Sequence, residues 1–279
     1  MMSDHTLVIH VLSGSLIAAL VVSVAYVLKM LTPSGTISAF ILGVIVFGLG
    51  GLSWAIILIL FFLSSSGLSL LFRTKKNQVE KMYAKGSIRD YRQVLANGGV
   101  AGLFTIIHFF FPQSILPWIG FCAAFAAANA DTWATELGIF NRRNPVLIVS
   151  GKSVEPGTSG AVSAVGTLAA ASGALLIGLG SWLVWPNDLL FTTSTSRIWF
   201  AGTIFFAGFS GSLVDSILGA TLQAIYKCPN CQRETEKHPL HGCGIETTQI
   251  RGLIWMGNDW VNTFCTLSAS LIVIVMSLF

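Results

Sequence analysis

Charged residues are scarce in this chain. Lys, Arg, Asp and Glu make up 10% of its 279 residues, whereas soluble domains contain roughly 25%. Hydrophobic residues make up 53%, and the mean hydropathy is +0.75. This composition excludes a soluble globular protein and predicts an integral membrane protein. The chain also lacks a polar segment long enough for a soluble second domain and has no low-complexity linker, so we expect a single transmembrane helical domain over residues 1–279.

Apolar runs long enough to cross about 30 Å of hydrocarbon recur along the chain. Eight can be marked, at 7–31, 36–50, 52–72, 95–112, 116–138, 161–185, 198–225 and 255–279. They predict an all-α, polytopic membrane protein with about eight transmembrane helices in one bundle. One helix over 36–72 would overshoot the bilayer, so we expect a hairpin turned at 48–51. The first run lacks a basic leader and a clear cleavage site, and we expect it to remain as a span.

Basic residues are concentrated in loops that share one end of this predicted bundle. The expected loops are 73–94, 139–160 and 226–252. The first contains Arg73, Lys75, Lys76, Lys81, Lys85, Arg89 and Arg92 against only Glu80 and Asp90. This bias predicts that the loops face the cytoplasm, in the cell (inner) membrane, with both termini outside. The net charge of +4 reflects either this topology signal beside anionic membrane lipid or a surface for an anionic substrate. Nucleic acid is not an expected partner.

Acidic residues interrupt two of the apolar stretches. Asp131 and Asp215 lie in stretches that otherwise have the composition of lipid-embedded helix. A carboxylate there is energetically costly and usually functional. Asp131 and Glu136 are five residues apart, about 140° around a helix, so they cannot both ligate one ion from a straight helix. Aligning the two aspartates also pairs Phe121, Phe125 and Thr132 with Phe205, Phe209 and Ser216. This match is either a parallel repeat or a coincidence in aromatic-rich sequence.

Three Gly-rich or Asn-rich segments, at 97–99, 157–160 and 257–262, precede or begin apolar runs at the cytoplasmic end. We expect them to be helix starts, which bind phosphate oxygens well, although Gly and Asn can also simply cap and pack helices. The candidate phosphate-binding and nucleotide-binding residues are Arg92, Asn97, Gly98, Lys152, Gly157, Thr158, Ser159, Gly160, Ser212, Asn258 and Asn262. The segment 151–153 resembles the end of a P-loop, but no Gly lies five residues before Gly151, so a P-loop is excluded.

Hard oxygen ligands at the same end suit Mg²⁺. We predict catalytic roles for Asp131, Glu136, Asp215 and Asp259, with Mg²⁺ held by Asp131, Asp215 and Asp259. Carboxylates, a divalent cation and phosphate-binding segments together favour phosphoryl transfer. A secondary transporter remains the alternative, because intramembrane acids and parallel repeats also occur in transporters.

Soft metal ligands are grouped in the last cytoplasmic loop. A Cys228-x-x-Cys231 pair is followed by His238, His241 and Cys243, a spacing typical of structural zinc sites. Cytoplasmic thiols stay reduced, which argues against a disulfide. We predict a structural Zn²⁺ held by the three cysteines and one of the two histidines, His241. The alternative is a polar loop whose cysteines bind nothing.

Five motifs occur in order along the chain. They are Arg89-x-x-Arg92-Gln93-Val94-Leu95-Ala96-Asn97-Gly98, Ala130-Asp131-Thr132-Trp133-Ala134-Thr135-Glu136-Leu137-Gly138, Pro156-Gly157-Thr158-Ser159-Gly160, Gly211-Ser212-x-x-Asp215-Ser216-x-x-Gly219-Ala220-x-x-Gln223 and Asn258-Asp259-x-Val261-Asn262. Over roughly 36–279 the chain resembles the membrane family of phytyl-phosphate kinases, which also includes animal transmembrane protein 19. The resemblance implies a CTP-dependent kinase that converts an isoprenoid monophosphate, such as phytyl phosphate, to its diphosphate, as in tocopherol biosynthesis.

Overall fold

Eight helices form the part of the protein that the structure describes. The computed structural model describes residues 4–76, 88–186, 189 and 193–279, with backbone only for 4–7 and 73–76. The helices are α1 (Asp4–Val27), α2 (Pro33–Ile45), α3 (Leu52–Lys76), α4 (Tyr91–Phe110), α5 (Ile115–Gly138), α6 (Ala164–Leu183), α7 (Ser194–Thr221) and α8 (Asn258–Met276). A π-helical turn, Val46–Gly50, continues α2. The predicted polytopic helical fold is therefore confirmed.

Seven of the helices in the described ranges are long and apolar enough to cross a membrane: α1, α2 with its π-helical turn, α3, α4, α6, α7 and α8. The eighth, α5, has 24 residues and is long enough as well, but it lies at the centre of the bundle. It packs against α3, α4, α6, α7 and α8, and every residue from 117 to 130 is buried. Small residues allow this close approach, since a Cβ on Gly173 or Gly208 would meet the backbone of α5 at 3.0 Å or less.

The predicted hairpin between the second and third helices is confirmed. Gly51 has φ of 80°, a left-handed conformation that glycine adopts readily and that ends the helix. Just before it, Gly50 lies against the indole ring of Trp54, where an added Cβ would approach within 2.6 Å. From this turn α2 packs on α1 and α4, whereas α3 packs on α5 and α6. The two arms of the hairpin therefore diverge.

Two of the three predicted helix starts are wrong. The first of these helices, α4, begins at Tyr91, because Asp90 and Gln93 form a reciprocal capping box. Asn97 and Gly98 therefore lie about two turns inside α4. The segment 157–160 is a turn rather than a helix start. It precedes a strand, and α6 begins only at Ala164, capped by Ser163. Gly257 is the N-cap of α8, so the third start is confirmed.

Five short strands lie in the described connections between the helices. β1 (Val146–Leu147) pairs with β2 (Ala161–Val162), and β3 (Ile225–Lys227) pairs with both β4 (Glu234–Thr235) and β5 (Thr248–Arg251) in antiparallel order β4-β3-β5. The loops predicted at 139–160 and 226–252 therefore contain local sheets. These connections join the C-terminal ends of α5 and α7 to the N-terminal ends of α6 and α8, and we call this end of the bundle the basic-loop end.

The basic residues predicted to orient the first loop lie mostly outside the described side chains. Lys81 and Lys85 belong to residues 77–87, which the structure does not describe, and the side chains of 73–76 are likewise outside it. Arg89 and Arg92 are described, on either side of the cap of α4.

Candidate functional site at the basic-loop end

Two intramembrane aspartates meet between α5 and α7. Asp131 precedes the last residue of α5 by seven positions and Asp215 precedes the last residue of α7 by six, so each lies about 10 Å from its helix end. The two carboxylates interact electrostatically, and Cys265 of α8 lies within range of both. Two like charges this close in a low-dielectric setting favour a shared proton or a bound cation.

Asp215 provides the observation that points to a ligand. Its Oδ2 atom is buried and makes no hydrogen bond to any residue that the structure describes. A buried carboxylate oxygen is costly unless it is paired or coordinates a cation. The charged groups that interact with it are carboxylates, hard oxygen donors of the kind that Mg²⁺ prefers.

Glu236 is a third acid of this centre, and it was missed by sequence reasoning. Its carboxylate interacts electrostatically with Asp215 and accepts a hydrogen bond of 2.8 Å from Nε2 of Gln223. The Oε1 atom of Gln223 in turn accepts a hydrogen bond from the hydroxyl of Ser159. Gln223 is 2% exposed, so this bridge is shielded from water and strong. The sequence offers one hint of this contact, a small and polar stripe along one helix face formed by Gly208, Ser212, Asp215, Gly219 and Gln223. Together these contacts form what we call the acid centre: Asp131, Asp215 and Glu236.

The turn at 157–160 lies against the C-terminal end of α7. Gly157 and Gly160 have φ of 91° and 81°, which only glycine adopts without strain. A Cβ on Gly160 would collide with the backbone of Ala220, and one on Gly219 would lie 2.8 Å from the hydroxyl of Ser159. Since Gln223 hydrogen-bonds Ser159, the turn is held beside the acid centre.

Arg251 and Thr158 fix this turn further. Nη2 of Arg251, in β5, donates to the carbonyls of Gly219 and Ser159 at 3.2 and 3.5 Å. The hydroxyl of Thr158 donates to the carbonyl of Glu155 at 2.8 Å. The other two polar candidates of this region are placed differently. Lys152 is exposed in the preceding loop, and the hydroxyl of Ser212 donates to the carbonyl of Phe209 in its own helix.

Glu136 faces a different neighbour, as its five-residue spacing from Asp131 predicts. Its Oε1 atom accepts a hydrogen bond of 2.8 Å from Ser69 of α3, and the carboxylate interacts electrostatically with Arg89. The guanidinium of Arg89 donates to Ser66 and Ser65, both at 3.1 Å. Burial lowers the pKa of Arg89 to about 10, an effect that Glu136 opposes. The guanidinium therefore remains charged at neutral pH.

The remaining candidates line the first turns of α4 and α8. Asp259 interacts electrostatically with Arg92, and both lie within two residues of a helix start. Asn258 and Asn262 share the first turns of α8 with Asp259, all partly buried. These contacts associate Asp259 with a cation of α4, whereas its placement in a magnesium site remains a prediction.

Gly98 lies on the face of α4 that meets α2, and Asn97 bonds within its own helix. Nδ2 of Asn97 donates to the carbonyl of Gln93 at 3.0 Å. A Cβ on Gly98 would lie 2.5 Å from Leu42, so this glycine permits close packing of the two helices. Its role in the fold is steric, and its predicted role in binding phosphate at a helix start has no support from its position inside α4.

The loop after α7 brings four soft ligands together. The ligand atoms of Cys228, Cys231, His241 and Cys243 all lie within 4.8 Å of one another. Sγ of Cys243 is 3.6 Å from each of the other two sulfurs and 3.1 Å from Nδ1 of His241. Tetrahedral zinc, with Zn–S bonds of roughly 2.3 Å, separates its sulfurs by roughly 3.8 Å. The spacing therefore fits Zn²⁺.

His238 and the thiol electrostatics agree with this ligand set. The ring of His238 stacks on Tyr226, with centroids 4.4 Å apart, and lies outside the four-residue cluster. N–H groups, first that of Cys231, lower the pKa of the Cys228 thiol, which favours the thiolate that binds metal. Hydrogen bonding to Cys243 raises the pKa of Cys231 to about 11, as expected when neighbouring sulfurs share protons.

Comparison with known proteins identifies relatives of the whole bundle. Residues 16–270 match the family model described as Integral membrane protein DUF92, a range that includes all five motifs. The chain is 30% identical to Protein PGR of Arabidopsis thaliana over 95% of each chain. It is 34% identical to an uncharacterized membrane protein of Methanocaldococcus jannaschii, over 70% of this chain and 76% of that one. No solved structure matches. The names of these relatives specify no reaction.

Proposed function

This chain belongs to the family Integral membrane protein DUF92, and we propose that it is a nucleotide-dependent kinase of an isoprenoid monophosphate. The reaction transfers the γ-phosphoryl group of CTP to the phosphate of a phytyl-like lipid, giving the diphosphate and CDP. The family match is consistent with the resemblance to phytyl-phosphate kinases and transmembrane protein 19. The proposed site opens at the basic-loop end, on the cytoplasmic side of the membrane.

One observation carries this proposal. The acid centre draws carboxylates from α5, from α7 and from the loop after α7, and it lies beside a glycine turn fixed to α7. Phosphoryl transfer requires oxygen donors for a divalent cation and a segment that can approach the phosphates closely. The carboxylates and the glycine turn would supply these two components. The acceptor phosphate is already an anionic nucleophile, so the reaction needs positioning and charge neutralisation more than a strong base.

The chain's own residues would perform those two tasks. Asp131 and Asp215, joined by Glu236, would hold Mg²⁺, which supplies neutralisation of the nucleotide phosphates. The turn at 157–160 would position the phosphates, with Arg251 holding the turn in place. A phosphate oxygen of the acceptor attacks the γ-phosphorus, the bond to the bridging oxygen breaks, and CDP leaves with that oxygen.

A structural Zn²⁺ belongs to the same proposal. Cys228, Cys231, His241 and Cys243 would hold it, and it would order the loop that presents Glu236. Metal ligation can supply the folding free energy that such a short loop lacks. Zinc would then have a structural role, because each of its ligands lies five or more residues along the chain from Glu236, the carboxylate of the acid centre.

The depth of the acids supports an enzyme over a transporter. A secondary transporter places its ionisable residues near the bilayer midplane, whereas Asp131 and Asp215 lie near one end of their helices. Glu236, in the loop, belongs to the same centre. The acid centre would therefore be reached from one side of the membrane.

The direct test is a reaction with the purified protein. Detergent-solubilised protein is incubated with CTP, Mg²⁺ and phytyl phosphate, and the products are separated by chromatography. We expect phytyl diphosphate and CDP in equal amounts, with no product when Mg²⁺ is chelated. Failure of every nucleoside triphosphate to support the reaction, together with uptake of labelled prenyl phosphate into sealed vesicles, would overturn the kinase in favour of the transporter.

A further inference from the structure

A tight turn with apolar side chains at its tip connects β5 to α8. The N–H of Met256 donates to the carbonyl of Leu253 at 2.9 Å, so Ile254 and Trp255 are the two central residues of a four-residue turn. Their side chains are 77% and 56% exposed, whereas Met256 is 2% exposed. Central turn positions usually hold Gly, Pro, Asn, Asp or Ser. An exposed aliphatic and aromatic pair at such a tip marks a surface that contacts something outside the chain.

The tip continues into an exposed apolar side of α8. The rings of Trp255 and Trp260 meet edge-on, with centroids 6.0 Å apart, and the ring of Trp260 is 6.2 Å from that of Phe264. Further along α8, Leu271 and Val275 are 53% and 54% exposed. These four residues of α8 lie within about 60° of one another around the helix, and α8 is long and apolar enough to cross a membrane. The apolar tip of the turn is therefore continuous with a surface that lipid covers.

The level of the turn along the bundle matches the headgroup region of a bilayer. Trp255 lies three positions before Asn258, the first residue of α8. Trp and Tyr are enriched at this boundary, because each joins an apolar ring to a polar group. The neighbouring helix α4 begins with Tyr91, which is 44% exposed, and the guanidinium of Arg92 lies 5.7 Å from the centre of its ring. Asp259 interacts electrostatically with Arg92, which places the two helix starts at a similar level.

We propose that the turn at 253–256 docks on the bilayer, with Ile254 and Trp255 inserted in the headgroup region of the leaflet at the basic-loop end. A phospholipid surface is the partner that fits, because the tip is apolar and adjoins the lipid-covered side of α8. This inference concerns a membrane contact of a connecting segment and does not depend on the reaction.

Docking of the turn braces the C-terminal end of α7. The turn is bonded to that end on both sides. The N–H of Leu253 donates to the carbonyl of Leu222 at 2.9 Å, and the N–H of Ala224 donates to the carbonyl of Met256 at 2.8 Å. Between these two bonds lies Gln223, whose side chain links the acid centre to the glycine turn. A turn held in the headgroup region therefore keeps this end of α7 in place.

A fluorescent reporter tests the location. The environment-sensitive amino acid Anap is incorporated into the full-length protein at position 254, or at the exposed position 234 of β4, on the opposite edge of the same sheet. Each protein is placed in nanodiscs of phosphatidylcholine and phosphatidylglycerol. We expect a nitroxide on the upper acyl chain of the phospholipid to quench the reporter at 254 several-fold more than at 234, and aqueous iodide to do the reverse.

Two results of this measurement would overturn the docking. Equal quenching of the two positions by iodide would show that the tip lies in water. Shielding of position 254 from both quenchers, together with a crosslinked dimer, would show that a second copy of the chain covers the tip instead of lipid.

Matched pairs of serine substitutions test the bracing. Ile254→Ser combined with Trp255→Ser removes the apolar tip and leaves the backbone bonds of the turn possible. Hydrogen exchange in nanodiscs of the peptide spanning 219–226, which contains neither substitution, should then become about tenfold faster, because opening no longer removes side chains from lipid.

The control changes the same two residue types at the other end of the bundle. Ile198 and Trp199, near the start of α7, are 60% and 56% exposed, and Ile198→Ser combined with Trp199→Ser should leave exchange of 219–226 as in wild type. Wild-type exchange in the variant of the turn, or equal acceleration in both variants, would overturn the bracing. Neither measurement uses nucleotide or isoprenoid phosphate, so failure of the docking and failure of the kinase are distinguishable.

Discussion

Asp131 and Asp215 are the residues on which the proposed chemistry depends most. We expect Asp131→Asn and Asp215→Asn each to lower phosphoryl transfer about a hundredfold or more, because a magnesium ligand loses its charge with little change in volume. Both variants should remain folded in detergent. The measurement is the initial rate with saturating CTP, and Glu155→Gln, an exposed acid of the same end of the bundle, is the control. Near-normal turnover in either variant would remove that residue from the magnesium site.

Glu236 tests whether the loop after α7 completes the acid centre. In Glu236→Gln the hydrogen bond from Gln223 can persist while the charge is lost. We expect the Mg²⁺ concentration for half-maximal activity to rise several-fold. Glu234→Gln, at an exposed residue of β4 two positions away, should behave as wild type. An unchanged Mg²⁺ dependence in Glu236→Gln would limit Glu236 to a structural role.

At the scale of elements, the turn at 157–160 links the loops to α7. Gly157 has φ of 91°, and a side chain in such a left-handed conformation costs about 1–2 kcal/mol. We therefore expect Gly157→Val to weaken CTP binding in the presence of Mg²⁺, measured at equilibrium. Gly151→Val is the matched control, since Gly151 also has positive φ, 65°, but lies outside the turn. Equal effects of both substitutions would show that only general strain matters.

The cysteine loop is an element whose order we attribute to metal. We expect elemental analysis to find about one zinc per chain, lost when Cys228→Ser and Cys231→Ser are combined. The same double variant should raise the Mg²⁺ requirement as Glu236→Gln does, because the loop presents that acid. Cys122→Ala, a thiol buried in the core, should keep its zinc. A metal-free wild-type protein with full activity would leave the cysteines as ordinary loop residues.

At the scale of the whole molecule, orientation in the membrane is the open expectation. If each of the eight described helices crosses the bilayer, both termini lie on the side opposite the basic-loop end. In a bacterial host, alkaline phosphatase fused after Phe279 should be active, and green fluorescent protein fused there should be dark, because the basic loops stay in the cytoplasm. The reverse pattern would invert the topology and separate the acid centre from cytoplasmic nucleotide.

Sequence by itself determined the features that depend on local physics. The lengths of the apolar runs predict the helices, because each run must be removed from water. The glycines at 48–51 predict the turn between the second and third helices, because glycine adopts positive φ without strain. Helical periodicity predicts that Asp131 and Glu136 point in different directions, because five residues correspond to about 140° around a helix. The spacing of Cys228, Cys231 and Cys243 predicts their cluster, because the ligands lie close in the chain.

Tertiary structure decided everything that depends on distant neighbours. Hydropathy cannot tell that α5 is the helix that the others surround, because an apolar face meets lipid and protein alike. Glu236 joins Asp215 only because Gln223 and the strands of its loop bring it there. Long-range packing sets such contacts, and no pattern within a few residues encodes them.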